Sequence, residues 1–486
     1  MRRYIGFAVV AGLLAFATIR DAFDGWVART DLPALVIDIS VEVLDRDGGL
    51  LRAFTVANGR WRLDPGPVDP LFLDMLIAYE DQRFYDHGGV DLTALLRAAG
   101  QALGSGHIVS GGSTLTMQVA RLLEDSGTGE WAGKLRQIRV ALALERRLSK
   151  ADILGLYLRL APYGGNLEGL RAASIAYLGK EPRHLTAAEA ALLVAIPQSP
   201  ETRRPDRHAV VAKAARGRVL ERMQRAGVLT AEKAQSAATE PVLAARKAFP
   251  QLAAHLAERL RAEDPLQRLH RTTLDGALQA SLEGLAAAAV RQAGDRLTVA
   301  IVVADHQTGE ILASVGAADW TDDKRAGYLD MTRALRSPGS TLKPFVYGLA
   351  FDQGLAHPET LIDDRPTAFG TYVPQNFDRA FRGTLTVREA LQQSLNIPVV
   401  LLIEALGPAK LLAALRRAGA KPVVPGNEPG LAVALGGLGV SLEDLVQAYA
   451  GLARLGAPIR LSALSGQIAP LPQRLFSPEA AWMMSS

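Results

Sequence analysis

Between residues 69 and 227 of this 486-residue chain, apolar residues recur every three to four positions, and from residue 297 they begin to alternate with polar ones. The first period belongs to helices with one buried face and the second to strands with one buried face. A single core rarely holds so long a chain. The sequence therefore predicts a mostly α domain followed by a mixed α/β domain. Helices are expected at 71–79, 92–103, 113–123, 134–148, 151–160 and 187–196, with glycine-rich breaks at Gly88-Gly89, at 104–112 and at Gly164-Gly165. Residues 231–269, rich in alanine and arginine, read as a helical connector. A β run at 297–304, a His306-Gln307-Thr308-Gly309 turn and a returning run at 310–315 open the second domain.

Ahead of both domains, alternation within 35–63 around Asp47-Gly48-Gly49 predicts a small β-hairpin. Earlier still, Arg2 and Arg3 precede an uncharged apolar run at 4–19, which Arg20 and Asp21 close. Basic residues before such a run keep the N-terminus in the cytoplasm. The run is shorter than the roughly 20 residues that span a bilayer comfortably. It reads either as a signal anchor that recruits residues up to Trp26, or as a signal peptide with Ala15-Phe16-Ala17 as the cleavage site. Both readings place the rest of the chain outside the cytoplasm. The expected division is 1–26 anchor, 27–63 β linker, 64–227 helical domain, 228–270 connector and 271–486 second domain. The absence of cysteine excludes disulfides, thiolate metal sites and a cysteine nucleophile. With 54 basic and 50 acidic residues the net charge is +4, and no nucleic-acid motif accompanies it, so no nucleic-acid partner is expected.

Three polar clusters fall in the helical domain. Glu80 and Asp81 end an amphipathic helix, and Asp86 precedes the His87-Gly88-Gly89 turn. Carboxylates beside a glycine loop can face a cleft and act as general bases; alone, such a run would be an ordinary solvated helix end. Next, Gly111-Gly112 leads into Ser113, Thr114, Thr116 and Gln118. Helix capping explains the Ser and Thr residues, and free N–H groups at a helix start also suit a phosphate. Finally, Lys134, Arg136 and Arg139 fall on successive turns with Gln137, where cations can neutralise a pyrophosphate leaving group.

Taken in order, these clusters resemble the signatures of the glycosyltransferase family 51 domain of class A penicillin-binding proteins. Residues 80–89 resemble its EDxxFxxHxG signature, GGSTLTMQ at 111–118 its second, and Lys134 to Gln137 its RKxxE. Lys150 to Leu158 resembles KxxILxxYLN, and ALLVAIPQSP at 191–200 the closing helix and loop. The resemblance covers about residues 69–210 and implies a lysozyme-like α fold. It implies polymerisation of lipid II, a disaccharide-peptide on a polyprenyl pyrophosphate, into glycan strands. Glu80 would be the general base that takes the acceptor sugar's 4-hydroxyl proton as the oxygen attacks the donor's anomeric carbon with inversion. Lys134 and Arg136 would hold the pyrophosphate, with Mg²⁺ as the one cofactor admitted. Asp81, Phe84, His87, Ser113, Thr114, Thr116, Gln118 and Gln137 would bind substrate. No organic cofactor is implied. Gln137 stands in place of a second glutamate, Gly133 of an arginine, Arg159 of an asparagine and Met117 of a glutamine. Gln137 cannot ionise, yet it can donate a hydrogen bond to a phosphate oxygen. The KxRQ form with APYGGNLEG resembles the penicillin-binding protein 1C branch.

In the second domain, the Ser-x-x-Lys spacing puts Ser340 and Lys343 on one helix face. A neutral lysine there can activate the hydroxyl. Ser337 lacks such a lysine, so Ser340 is the expected nucleophile. Ser394-Leu395-Asn396, the stretches 372–377 and 383–391, and Leu435-Gly436-Gly437 followed by 441–456 resemble the penicillin-recognising, β-lactamase-like serine transpeptidase domain. The resemblance implies acylation of Ser340 by a D-Ala-D-Ala donor or a β-lactam. Lys343 would be the base, and Ser394 and Asn396 would assist proton transfer and substrate binding. The family has a Lys-Thr-Gly or Lys-Ser-Gly strand after this segment, and no lysine follows Lys421. An incomplete α/β domain with exposed strand edges is therefore expected, and transpeptidation stays open. Implied partners are lipid II, nascent glycan strands, β-lactams and other cell-wall synthesis proteins. The implied place is the bacterial inner membrane, crossed once, with the catalytic domains on the periplasmic side. Two other readings stay open: a lysozyme-like hydrolase using Glu80, and a non-catalytic scaffold or β-lactam-binding module.

Overall fold

The structure, a computed structural model, describes residues 2–96, 112–124, 131–242, 244–466, 469, 471 and 473–486, without the side chains of 2–10 and 131. Most of the helix expected at 92–103, and the glycine-rich break after it, lie outside these residues. The chain divides into two units: residues 1–41 with 53–249, and residues 42–52 with 250–486.

In the first unit, side-chain caps set the helix starts. Asp69 accepts from Leu71 N at 2.9 Å and Pro70 opens the helix Pro70–Glu80, a proline position where no N–H is lost. Capping boxes at Ser149/Asp152 and Thr186/Glu189 start Lys150–Leu160 and Ala187–Ala195. Leu170–Leu178 is buried along its whole length, as expected of a central helix. Gly169 before it has φ +83°, and a Cβ there would lie 2.8 Å from the Arg159 carbonyl oxygen, so only glycine fits. Leu115–Glu124 and Trp131–Glu145 pack together, and Pro205–Arg225 packs on Ala187–Ala195.

Residues Arg2–Ala28 form one helix of 27 residues, about 40 Å at 1.5 Å per residue. Its last turn is fastened to Trp131–Glu145. Arg139 donates to the Trp26 and Arg29 carbonyls at 3.0 Å each, and its guanidinium lies 5.0 Å over the Trp26 ring. These bonds satisfy carbonyls that a helix C-terminus leaves open. Leu13, Leu14, Phe16 and Ile19 are exposed. Among the described residues no single helix is long and apolar enough to cross a membrane.

The second unit takes a piece of the early chain. Glu42–Leu44 and Leu50–Ala53 form the hairpin expected around Asp47-Gly48-Gly49, shorter than the alternation suggests. Glu42–Leu44 also pairs in parallel with Leu269–Arg271, Glu42 opposite Leu269. The hairpin is thus a sheet edge of the second unit and not a free-standing linker. Ile301–Ala304 and Ile311–Val315 pair antiparallel as expected, Ile301 opposite Val315. The helix Gly276–Ala293 is fastened to them by a buried amide: Gln279 donates to Ser314 O at 3.0 Å and accepts from Ser314 N at 2.8 Å. A second core joins Lys343–Asp352, Asn396–Leu406 and Pro408–Arg417 through Phe345, Val346, Leu349, Val399, Ile403 and Leu411. Beside it, Leu361–Asp364 pairs antiparallel with Gly383–Thr386.

Candidate active sites

In the first unit three segments converge on the last residue of the helix Pro70–Glu80. One Glu80 carboxylate oxygen accepts Gln118 Nε2 at 2.9 Å, and the other accepts Gln198 Nε2 at 2.9 Å. Gln118 comes from Leu115–Glu124 and Gln198 from the short turn Ile196–Gln198. The buried Tyr157 and Tyr163 phenols are pushed up, by burial first and then by the Glu80 charge, so both rings stand near it.

Arg121 lies one turn beyond Gln118 on the same helix face. Lys134 Nζ donates to Ser113 Oγ at 2.5 Å, and burial followed by the Arg121 charge holds its amine below the usual lysine value. One helix face therefore carries both the amide that grips Glu80 and a cation whose charge acts on Lys134. Gln137, one turn on from Lys134, is buried. A cavity of about 660 Å³ is lined by Gln198, Arg121, Asn58, Arg60, Arg62 and Glu168 among others; Glu80, Gln118 and Lys134 do not line it. Its wall is braced where Arg60 and Arg62 both pair with Glu168.

Several residues expected to touch substrate are placed differently. Asp81 is buried and accepts His87 Nε2 at 3.0 Å and Leu115 N at 2.9 Å. His87 Nδ1 accepts from Gly89 N at 3.2 Å, so Nε2 carries the proton given to Asp81. The pair shapes the turn and caps Leu115–Glu124. Phe84 is wholly buried, with Lys150 Nζ 4.5 Å over its ring, because the turn closes over an apolar side chain. Thr114 donates to Gly89 O at 2.6 Å and accepts from Met117 N at 3.1 Å, which is the capping role its sequence allows. Thr116 is buried and donates to Glu145 at 2.6 Å. Arg136 pairs with Glu124 and donates to Asp31 O, and Arg139 is taken up by the first helix, so neither stands with Lys134 at Ser113.

Mg²⁺ finds little to hold it. Both Glu80 oxygens accept amide protons, Gln137 is neutral, and among the described residues no three His, Asp or Glu side chains gather as a metal site.

In the second unit, Ser340 sits exposed in the turn Gly339–Leu342 that opens Lys343–Asp352. Lys343 is 1% exposed. Its Nζ donates to Asn396 Oδ1 at 2.7 Å, to Ser394 Oγ at 3.1 Å and to the Ser394 carbonyl. Burial pushes its amine down to about 8. Ser394 has φ +55°, a left-handed backbone that brings its carbonyl and hydroxyl to one amine. Such conformations cost a non-glycine residue about 1–2 kcal/mol and gather at functional sites. Ser337 donates to Gly436 O at 2.7 Å and is held away from the lysine.

Residues 48–224 match the transglycosylase family model, and residues 299–486 match the model of the penicillin-binding protein transpeptidase domain. The chain belongs to the class A penicillin-binding proteins. Penicillin-binding protein 1C of Escherichia coli (strain K12) is 44% identical over 457 residues, which cover 93% of this chain and 59% of that protein. Penicillin-binding protein 1B of the same organism is 31% identical over 457 residues, 87% of this chain and 53% of that protein. Penicillin-binding protein 1F of Bacillus subtilis (strain 168) is 29% identical over 484 residues, 94% and 66%. The chain thus spans about three fifths of the length of the first of these relatives. As in that family, a helix-rich transglycosylase domain precedes the transpeptidase domain. Sequence reasoning assigned no role to Gln198, Arg121, Tyr157, Asp364 or Asn376. Arg121 was within reach, three residues beyond Gln118 on a predicted helix; the others depend on contacts between distant segments.

Proposed function

We propose that this penicillin-binding protein polymerises lipid II into glycan strands at Glu80, and that Ser340 of its second domain takes acyl groups from D-Ala-D-Ala peptides and β-lactams. The observation that carries the first activity is the Glu80 carboxylate, gripped by Gln198 and by Gln118, whose helix face also carries Arg121, a cation that acts on Lys134. Gln118 and Gln198 orient the carboxylate toward the acceptor sugar. Glu80 takes the proton of the 4-hydroxyl, and the freed oxygen bonds to the donor's anomeric carbon from the opposite face. The bond from that carbon to pyrophosphate breaks, and the electron pair leaves on a pyrophosphate oxygen beside Lys134 and Arg121. A hydrolase would give these two cations no task.

At the second site Lys343 near 8 is neutral in about one molecule in ten at about pH 7. The neutral amine takes the Ser340 proton as Oγ bonds to the peptide or lactam carbonyl carbon, and the amine leaving group receives a proton in turn. The exposed apolar residues of the first helix support an anchor in the cytoplasmic membrane, and Arg2 and Arg3 ahead of them support both domains lying outside. The proposal is tested by supplying lipid II to the detergent-solubilised chain and following glycan polymer with release of polyprenyl pyrophosphate, while a fluorescent penicillin reads Ser340 labelling. Binding of both compounds with neither product would replace the enzyme reading with a scaffold.

A further inference from the structure

The polar groups beneath Lys343 do not end at the Ser394-Leu395-Asn396 segment. Asn396 accepts from Lys343 on Oδ1 and donates from Nδ2 to Gln375 O at 2.7 Å, so its amide can face one way only. Its backbone N–H donates to Asn376 Oδ1 at 2.8 Å. Asn376 Nδ2 in turn donates to both Asp364 oxygens at 2.9 Å and to Ala380 O at 2.8 Å. Asp364 also accepts from Arg382 N at 2.8 Å. Asp364 is wholly buried and Asn376 is 4% exposed. The donors to this carboxyl group are the Asn376 amide and the Arg382 backbone N–H. Through Asn376 it connects to the first residue of the helix Asn396–Leu406.

We propose that Asp364 and Asn376 are positioning residues for acylation of Ser340: they fix the start of that helix, and with it the amide that sets Lys343. The proposal rests on the transpeptidase reading of this site. Neither residue belongs to the Ser-x-x-Lys or Ser-x-Asn segments. Asp364 comes from the strand Leu361–Asp364, and Asn376 from the loop that leads to Gly383–Thr386.

The direction of the effect follows from the bonds. Asn396 Oδ1 favours the charged lysine. If Asn376 no longer holds Asn396, the lysine loses that acceptor, its charged form is less favoured, and the acid limb of the acylation profile moves to lower pH. The misplaced base also lowers the plateau, by about tenfold to about a hundredfold for a shift near one ångström.

The experiment measures labelling of the 486-residue chain by a fluorescent penicillin as a function of pH, for wild type, Asp364→Asn, Asn376→Ala and the double variant, with melting curves on the same samples. Asp364→Asn keeps the side-chain volume and remains readable if Asn376→Ala folds poorly. The expected result, corrected for folded fraction, is a lower plateau with the acid limb displaced to lower pH, and a double variant no slower than the slower single one. Profiles that superimpose on wild type after that correction would overturn the proposal and leave the network a packing feature. A wild-type chain that takes no more label than Ser340→Ala would sink the transpeptidase reading itself, and the positioning role with it.

Discussion

Asp81→Ala separates two roles that the sequence left joined. Asp81 stands beside Glu80, and its place in the signature implies contact with substrate. In the structure its carboxylate serves His87 Nε2 and Leu115 N, and the Asp81 and His87 side chains are 4% and 8% exposed. A hydrogen bond to a charged acceptor contributes about 1.5–3 kcal/mol, and little water can reach the donors left behind. Losing both bonds should cost about 3–6 kcal/mol. For a unit of this size each kcal/mol moves the melting point by about 2–4 °C, which gives a fall of roughly 10 °C. Asp81→Asn keeps one acceptor oxygen and should fall by about half as much. Polymerisation should drop with stability, because the released helix Leu115–Glu124 carries Gln118 to Glu80. The assay is thermal unfolding of the detergent-solubilised chain beside initial rates of glycan formation. A variant that melts with wild type yet makes no polymer would refute this reasoning and return Asp81 to the substrate.

Other consequences are smaller. Gln118→Leu should leave the melting point nearly unchanged and slow polymerisation by about tenfold or more, since it strips one oriented amide from Glu80; an unchanged initial rate would contradict this. Penicillin labelling of Ser340 should rise about fivefold from about pH 7 to about pH 8 and level off above about pH 9, as Lys343, pushed down to about 8, loses its proton; a profile flat over that range would contradict a lysine base. Tyr347 is wholly buried and its hydroxyl has no hydrogen-bond partner among the described residues. Tyr347→Phe should therefore be neutral or stabilising by up to about 1 kcal/mol in denaturant unfolding, and a clear destabilisation would reveal a partner for that hydroxyl.

What the sequence disclosed was local. The two-residue period at 297–315 marked a real hairpin, the Ser-x-x-Lys spacing put Lys343 at a helix start, and the Ser and Thr residues after Gly112 behaved in part as caps. What it concealed depended on separation along the chain. Nothing near Glu80 announces that Gln198 will hold its second oxygen, and nothing near Asp364 announces Asn396. Phe84 and Thr116 show the converse, signature residues that the structure places as buried supports. The early hairpin was legible as a hairpin but not as an edge of the second unit, since its partner strand Leu269–Arg271 comes far later. Arg136 and Arg139 shared a periodic face with Lys134, yet tertiary contacts drew them to Glu124 and to the end of the first helix.

The most direct test of the central claim is glycan formation from lipid II by the intact chain beside Glu80→Gln, with both shown to be folded. Glutamine preserves the shape of the side chain and removes the proton acceptor. Polymer from the wild type and none from the variant is the predicted result. Equal polymer from both would remove Glu80 from the chemistry and contradict the account of the first site.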